Sequence, residues 1–355
     1  MTDFLLHNER ALVDGELPHA AVDLAARILG GSVVAASDES FGFKENLIDP
    51  AEPVFTPGTY SLRGEVVDGW ETRRHAGRRG DWVIIRLGVP GRVQTVDVDT
   101  RYFAGNHPTA ACVDACALDV AADPTDPAIE WTTVAESTPL KPDSHNVLPV
   151  TNRRRWTHLR LRLESDGGVA RLRAYGEVIP DPTLWEDITV EVSSLEQGGR
   201  VEWCSDSFYS DAFALVAPTR PRGMGDGWET RRRRDVGPDS HDAVLISFAA
   251  PADLCRLEID TSYFVFNASL EVAVLGSRDR PDGEHGWALA PFDVPVLPRT
   301  RLAPDARQMF KVDARDITAL RLQAYPDGGI ARVRALGRPT NEGLALLQRR
   351  WEESS

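Results

Sequence analysis

Apolar and polar residues alternate along several short stretches of the chain. Leu159, Leu161 and Leu163 alternate with Arg160, Arg162 and Glu164; Val96 and Val98 with Asp97 and Asp99; Leu257 and Ile259 with Glu258 and Asp260. A period of two sets the apolar side chains on one face of a strand, which predicts antiparallel sheets with one face on a core and the other in water. The runs WVIIRLGVP (82–90) and AVLISFAAP (243–251) read as more deeply buried strands ending at their prolines. The triplet DGG at 166–168 and 327–329 predicts a hairpin turn, since glycine accepts the positive φ that such turns demand. A helical period occurs only at the margins. Leu17, Ala21, Leu24 and Ile28 form one stripe, and Leu344, Leu347 and Trp351 another.

The chain is also written twice. GGSVVAASDESF (30–41) faces GGRVEWCSDSFY (198–209), VDGWETRR (67–74) faces GDGWETRR (225–232), VDVDTRYF (96–103) faces LEIDTSYF (257–264), and HLRLRLESDGGVARLRAYG (158–176) faces ALRLQAYPDGGIARVRALG (319–337). Four landmarks in one order imply two homologous domains, because the spacing is too long for a solenoid unit of about 20 to 50 residues. With the strand pattern, this predicts an all-β chain of two jelly-roll β-sandwiches with short peripheral helices. The expected divisions are an N-terminal segment with a short helix (1–28), a first domain (29–178), a linker (179–197), a second domain (198–338) and a C-terminal helix (339–355). Asp187 to Val192 alternates as a strand strapping one domain to the other.

Composition narrows the function classes. A formal net charge of −14 argues against nucleic acid, whose phosphates require a cationic surface. The basic runs Arg73-Arg74, Arg153 to Arg155 and Arg231 to Arg234 are local, and suit a small anion or solvated surface. No stretch approaches the roughly 18 apolar residues of a membrane span, and no charged n-region precedes an apolar one, so a cytoplasmic protein is expected. Cys112, Cys116, Cys204 and Cys255 then read as small buried side chains. The eight histidines are scattered, and HExxH, GxSxG, P-loop and GxGxxG signatures are absent. No cofactor is called for, while a carboxylate-bound divalent metal is left open.

Three clusters carry candidate chemistry. In DGWETRR the Asp-Gly pair is a turn; beyond it Trp70, Thr72 and Arg74 would share one strand face, and Glu71 and Arg73 the other. Glu71 and Arg73 would be neighbours, able to pair with each other or jointly to meet a ligand, as would Glu229 and Arg231 in the second copy. A Trp after a turn commonly caps a core, and a Glu beside an Arg commonly makes a surface pair. Asp38, Lys44, Glu45 and Asn46 cluster in a loop-like stretch. Gly105, Asn106, His107 and Pro108 follow a strand as a second loop, where Asn and His can orient a substrate or move a proton.

The words ASDESFGFKENLI, DGWETRR in both halves, VDTRYFAGNHP and the endings DGGVARLRAYG and DGGIARVRALG resemble the allantoicase (allantoate amidinohydrolase) family over nearly the whole chain. The resemblance implies two jelly-roll domains of galactose-binding-like topology. It also implies hydrolysis of allantoate to ureidoglycolate and urea in purine and allantoin breakdown. An arginine fork suits the carboxylate of allantoate, and a carboxyl group suits proton exchange with its ureido nitrogen. On that reading Arg73 or Arg74 anchors the substrate and Glu71, Glu45 or His107 exchanges the proton. Lys44, Asn46, Asp38, Asn106, Glu229 and Arg231 are further substrate-binding candidates. The second half departs from the pattern. It has nothing like Lys44-Glu45-Asn46, keeps Asn267 without the Gly, His and Pro of YFAGNHP, and carries Ser210, Asp211 and Phe213 where the family usually has a His and an Asn-Asn-Leu. The expected site is therefore centred on the first domain and completed by the second or by another subunit of a homo-oligomer. A non-catalytic galactose-binding-like small-ligand module and an inactive scaffold stand as alternatives.

Overall fold

In the computed structural model, which describes residues 21–62, 64–74, 80–234, 237–281, 287 and 290–355, one long strand organises each repeat. Trp82–Asp99 is a single strand of 18 residues that runs through Pro90 instead of ending there. Its first half pairs with Ser32–Ala36 and Trp156–Leu163, and its second half with His145–Pro149 and Arg171–Val178, all antiparallel. The change of partners falls at residues 87–91, so Pro90 sits where few ladder N–H groups are needed. One strand thereby serves both layers of a sandwich. The first layer continues through Ala110–Cys116 to the edge strand Thr132–Pro139.

The second repeat follows the same plan. Asp242–Asp260 runs through Pro251 and exchanges Arg200–Cys204 for Arg332–Pro339 as a neighbour. Arg307–Tyr325 pairs with it along both halves and forms one strand where the first repeat has two. The chain divides into two compact units at Val178 and Ile179.

The period-two expectation holds in 159–163. Leu159, Leu161 and Leu163 are buried, while Arg160 and Arg162 on the other face meet Asp114 at 2.7 Å each. It fails on the other layer, where Asp97, Asp99, Glu258 and Asp260 are buried instead of wet. Each is compensated by a basic partner: Asp97 by His145 (2.7 Å), Asp99 by Arg101 (2.6 Å), and Glu258 and Asp260 by Arg307. Among the cysteines, Cys112 and Cys116 are buried as expected, whereas Cys255 is exposed.

Three local expectations are corrected. Leu17 lies outside the described residues, and the rest of its stripe is not an α-helix. Val22–Asp23 pairs with Tyr175 and Gly176, and Arg27–Leu29 is a single 3-10 turn. Val190–Glu191 pairs with Leu336 and Gly337 of its own repeat instead of strapping the two domains. The DGG segments are not hairpins, because Trp156–Leu163 and Arg171–Val178 flank Trp82–Asp99 on opposite sides and do not pair with each other. At the C-terminal end, Asn341–Glu353 is the expected helix, and buries Leu347.

Candidate functional site

The repeated word is first a brace. Trp70 is fully buried, and its indole N–H donates to the Asp38 carbonyl at 2.7 Å. Trp70–Glu71 pairs with Gly168–Val169, the Thr72 N–H donates to the Gly167 carbonyl at 3.1 Å, and the Gly167 N–H donates to Thr72 Oγ1 at 3.2 Å. Asp68 receives both ends of the buried Arg171 guanidinium (2.7 and 3.1 Å), and Asn46 Nδ2 donates to the Gly69 carbonyl at 3.0 Å. DGWET therefore ties the 38–46 loop to the 166–169 segment. The glycines of DGG serve close approach: a Cβ on Gly168 would lie 1.9 Å from the buried Phe103 ring, and one on Gly167, at φ +150°, 2.6 Å from the Asn106 carbonyl.

The brace aims two polar groups outward. Glu71 is partly buried and its Oε1 accepts from Asn106 Nδ2 at 2.6 Å; the Asn106 carbonyl in turn accepts from the Gly168 N–H. Burial pushes the Glu71 carboxyl above its usual range, against the opposing pull of the Asn106 hydrogen bond and the nearby Arg74 charge. Of the two alternatives for Glu71 and Arg73, pairing with each other is not the one taken: each has another partner. The Arg73 N–H and Nε donate to the two Asp38 oxygens at 2.9 and 2.7 Å, and the arginine side chain is 63% exposed. Burial alone would raise Asp38, but the amides and side chains of Arg73 and Ser40 outweigh it and hold its pKa at about 2.

The other candidates are placed differently. Lys44 Nζ lies 3.2 Å from both Glu39 and Glu45, and these carboxylates hold its pKa above the ordinary value although burial works the other way. Glu45 is half-exposed and also receives Arg27 Nη2 at 3.1 Å, so two cations already engage it. His107 follows Asn106, and its Nδ1 is buried without a hydrogen-bond partner among the described residues. Glu71, Asn106 and Arg74 thus come together, and Arg73 joins Asp38. Asp38 and Asn46 act as supports. Among the described residues no group of three or more His, Cys, Asp or Glu side chains is placed to hold a metal ion.

The second repeat reproduces the brace. The Trp228 indole donates to the Asp206 carbonyl (2.8 Å), Arg231 Nε to Asp206 (2.7 Å) and Asn267 Nδ2 to Glu229 (2.6 Å). Asp206 was not singled out from sequence, although the facing of SDS with SDE marks it as the counterpart of Asp38. Glu39 carried no such signal, since its role is to hold a lysine five residues away.

Two stretches, 22–179 and 190–340, match the family described as the allantoicase repeat. The chain is 45% identical over 327 residues to a probable allantoicase of Nocardia farcinica, covering 91% of this chain and 94% of that protein. It is 40% identical over 347 residues to a probable allantoicase of Streptomyces avermitilis, covering 93% and 89%. The crystal structure of allantoicase from Saccharomyces cerevisiae matches with a TM-score of 0.73 at 28% identity, covering 89% of this chain and 93% of that one.

Proposed function

The chain belongs to the allantoicase family, and from that premise we propose that the first repeat carries the site at which it hydrolyses allantoate to ureidoglycolate and urea in purine degradation. Allantoate holds a carboxylate and two ureido groups on one carbon. The exposed Arg73 side chain receives the carboxylate, and Asp38 fixes the angle of its guanidinium through Nε. Glu71 in its acid form gives a proton to one ureido nitrogen as the C–N bond breaks, and the bonding pair leaves with the nitrogen as urea. The remaining ureido nitrogen shares its lone pair with the carbon. Water then adds its oxygen there and returns a proton to the Glu71 carboxylate, restoring the acid. Asn106 orients Glu71, and Arg74 steadies its anion between the two steps. Glu45 is already engaged by Arg27 at 3.1 Å and Lys44 at 3.2 Å, and is assigned no proton transfer. Lys44 adds positive charge beside the site, and His107 borders Asn106.

The observation that carries this reading is a partly buried carboxyl, raised by desolvation and gripped by one amide at 2.6 Å, beside an exposed anchored arginine. Urea release from allantoate by purified protein tests it. Glu71→Gln should lower kcat by about 100-fold to 10,000-fold, the usual contribution of a positioned acid. Wild-type turnover in that variant would overturn the assignment. We extend the reading to a cytoplasmic enzyme acting on a small molecule, without nucleic-acid or membrane partners, and able to assemble as a homo-oligomer. The net charge of −14 supports the exclusion of polyanions.

A further inference from the structure

The second repeat keeps part of this machinery and discards the rest in a consistent direction. The segments 37–48 and 205–216 have equal lengths, as do 102–108 and 263–269, so positions correspond one to one. Asp206, Glu229, Arg231 and Asn267 stand for Asp38, Glu71, Arg73 and Asn106. Ala212, Phe213, Ala214 and Ala268 stand for Lys44, Glu45, Asn46 and His107.

The retained contacts keep their dimensions. Arg231 reaches Asp206 through N–H and Nε at 2.9 and 2.7 Å, as Arg73 reaches Asp38, and its side chain is 66% exposed. Asn267 meets Glu229 at 2.6 Å, as Asn106 meets Glu71. Trp228 and Thr230 already make the structural cross-links, through the Asp206 carbonyl and the Gly328 N–H. The Glu229–Asn267 pair is therefore not needed to close the brace. Phe208 and Phe266 stand where the first repeat has Ser40 and Gly105, and Tyr209 where it has the exposed Phe41. Phe208 and Tyr209 pack edge to face at 4.9 Å, the Arg231 guanidinium lies 5.1 Å from the Phe208 ring, and Phe208, Tyr209 and Phe266 are exposed.

What survives can recognise a ligand: a guanidinium for a carboxylate, and a carboxylate beside an amide for ureido N–H and C=O groups. What is lost is Lys44, Glu45, Asn46 and His107, replaced by Ala212, Phe213, Ala214 and Ala268. We propose that the second repeat carries a second binding site for small carboxylic acids bearing a ureido group, beside the exposed aromatic pair Phe208 and Tyr209. The inference rests on the recognition roles assigned to Arg73 and Glu71 in the first repeat. Substrate and ureidoglycolate both belong to the class, so the site fills as product accumulates.

Hydantoate is the probe. It carries one ureido group and one carboxylate, and lacks the second ureido group that would leave. Calorimetric titration of the full chain should give two equivalents bound, falling to one in Asn267→Leu and to one in Asn106→Leu. Amide hydrogen exchange of the wild-type chain with hydantoate should show protection at both 38–42 and 206–210, a readout independent of whether either variant folds. A single equivalent abolished by Asn106→Leu and untouched by Asn267→Leu, with protection confined to 38–42, overturns the second site and leaves the first-repeat reading intact. A single equivalent abolished only by Asn267→Leu, with protection confined to 206–210, supports the second site and removes the first-repeat assignment. No heat and no protection overturns the inference.

Discussion

Asp38→Asn tests whether the arginine anchor is built as described. The carboxylate is buried, with four donors around it: the N–H groups of Ser40 and Arg73 on one oxygen, and Ser40 Oγ and Arg73 Nε on the other. An asparagine keeps the shape but sets an NH₂ against the Ser40 and Arg73 N–H groups in one orientation and against Arg73 Nε in the other. Burial alone would raise the Asp38 pKa, but those four donors outweigh it and hold the value at about 2 against an ordinary 3.8. At 1.36 kcal/mol per pH unit the charge contributes about 2 kcal/mol to folding at pH 7. Because the folded value is the lower one, that contribution is present above pH 3.8 and is lost as pH falls through 2; at pH 3 about 1 kcal/mol remains. Guanidinium chloride denaturation of wild type and Asp38→Asn at pH 7 and pH 3 should show that gap narrowing. With two units in the chain, hydrogen exchange at the Ser40 and Arg73 amides should assign the loss to the first. Freed from Asp38, Arg73 loses its fixed angle, and KM should rise by about tenfold, equivalent to 1.4 kcal/mol of binding, with a smaller change in kcat. Equal stability at pH 7, or a gap that does not shrink on acidification, would refute the anchoring argument.

The raised Glu71 carboxyl sets a pH dependence: turnover should fall as pH rises through its folded pKa, because the acid form is lost, and this alkaline limb should be missing from the residual activity of Glu71→Gln. The same variant should be at least as stable as wild type at pH 7 in a thermal scan, since desolvating the charged form is what raises the pKa. Trp70→Phe leaves the Asp38 carbonyl without its indole partner and should cost about 1 to 3 kcal/mol in denaturant titration of the first repeat. Gly168→Ala drives a methyl into the Phe103 ring, and should destabilise by about 1 to 3 kcal/mol or more while lowering turnover through displacement of Asn106. A wild-type melting curve for Gly168→Ala would show that the close approach is slack.

Much of this protein was legible in the order of its residues. The double writing fixed two domains, because a duplicated string folds to a duplicated structure. The period of two in 159–163 fixed which side chains face the core, because successive side chains on a strand point to opposite faces. The DGWET word and the stretches 37–48 and 103–108 stand out in the sequence as three separate candidate clusters, and the structure joins them through Trp70, Asn46 and Asn106. The partners within that region were not legible. Adjacency along a strand allowed Glu71 to pair with Arg73, yet Glu71 meets an amide 35 residues away and Arg73 a carboxylate at the same remove. Prolines suggested strand ends, yet the strands run on where partners change and no ladder N–H is required. Carboxylates of alternating strands were assigned to water, yet Asp97, Glu258 and Asp260 are buried against basic side chains of other segments, and Asp99 against Arg101 two residues on. Local pattern determines which way a side chain points. Only the packed sheets decide what it meets there, and whether water is left to share the charge.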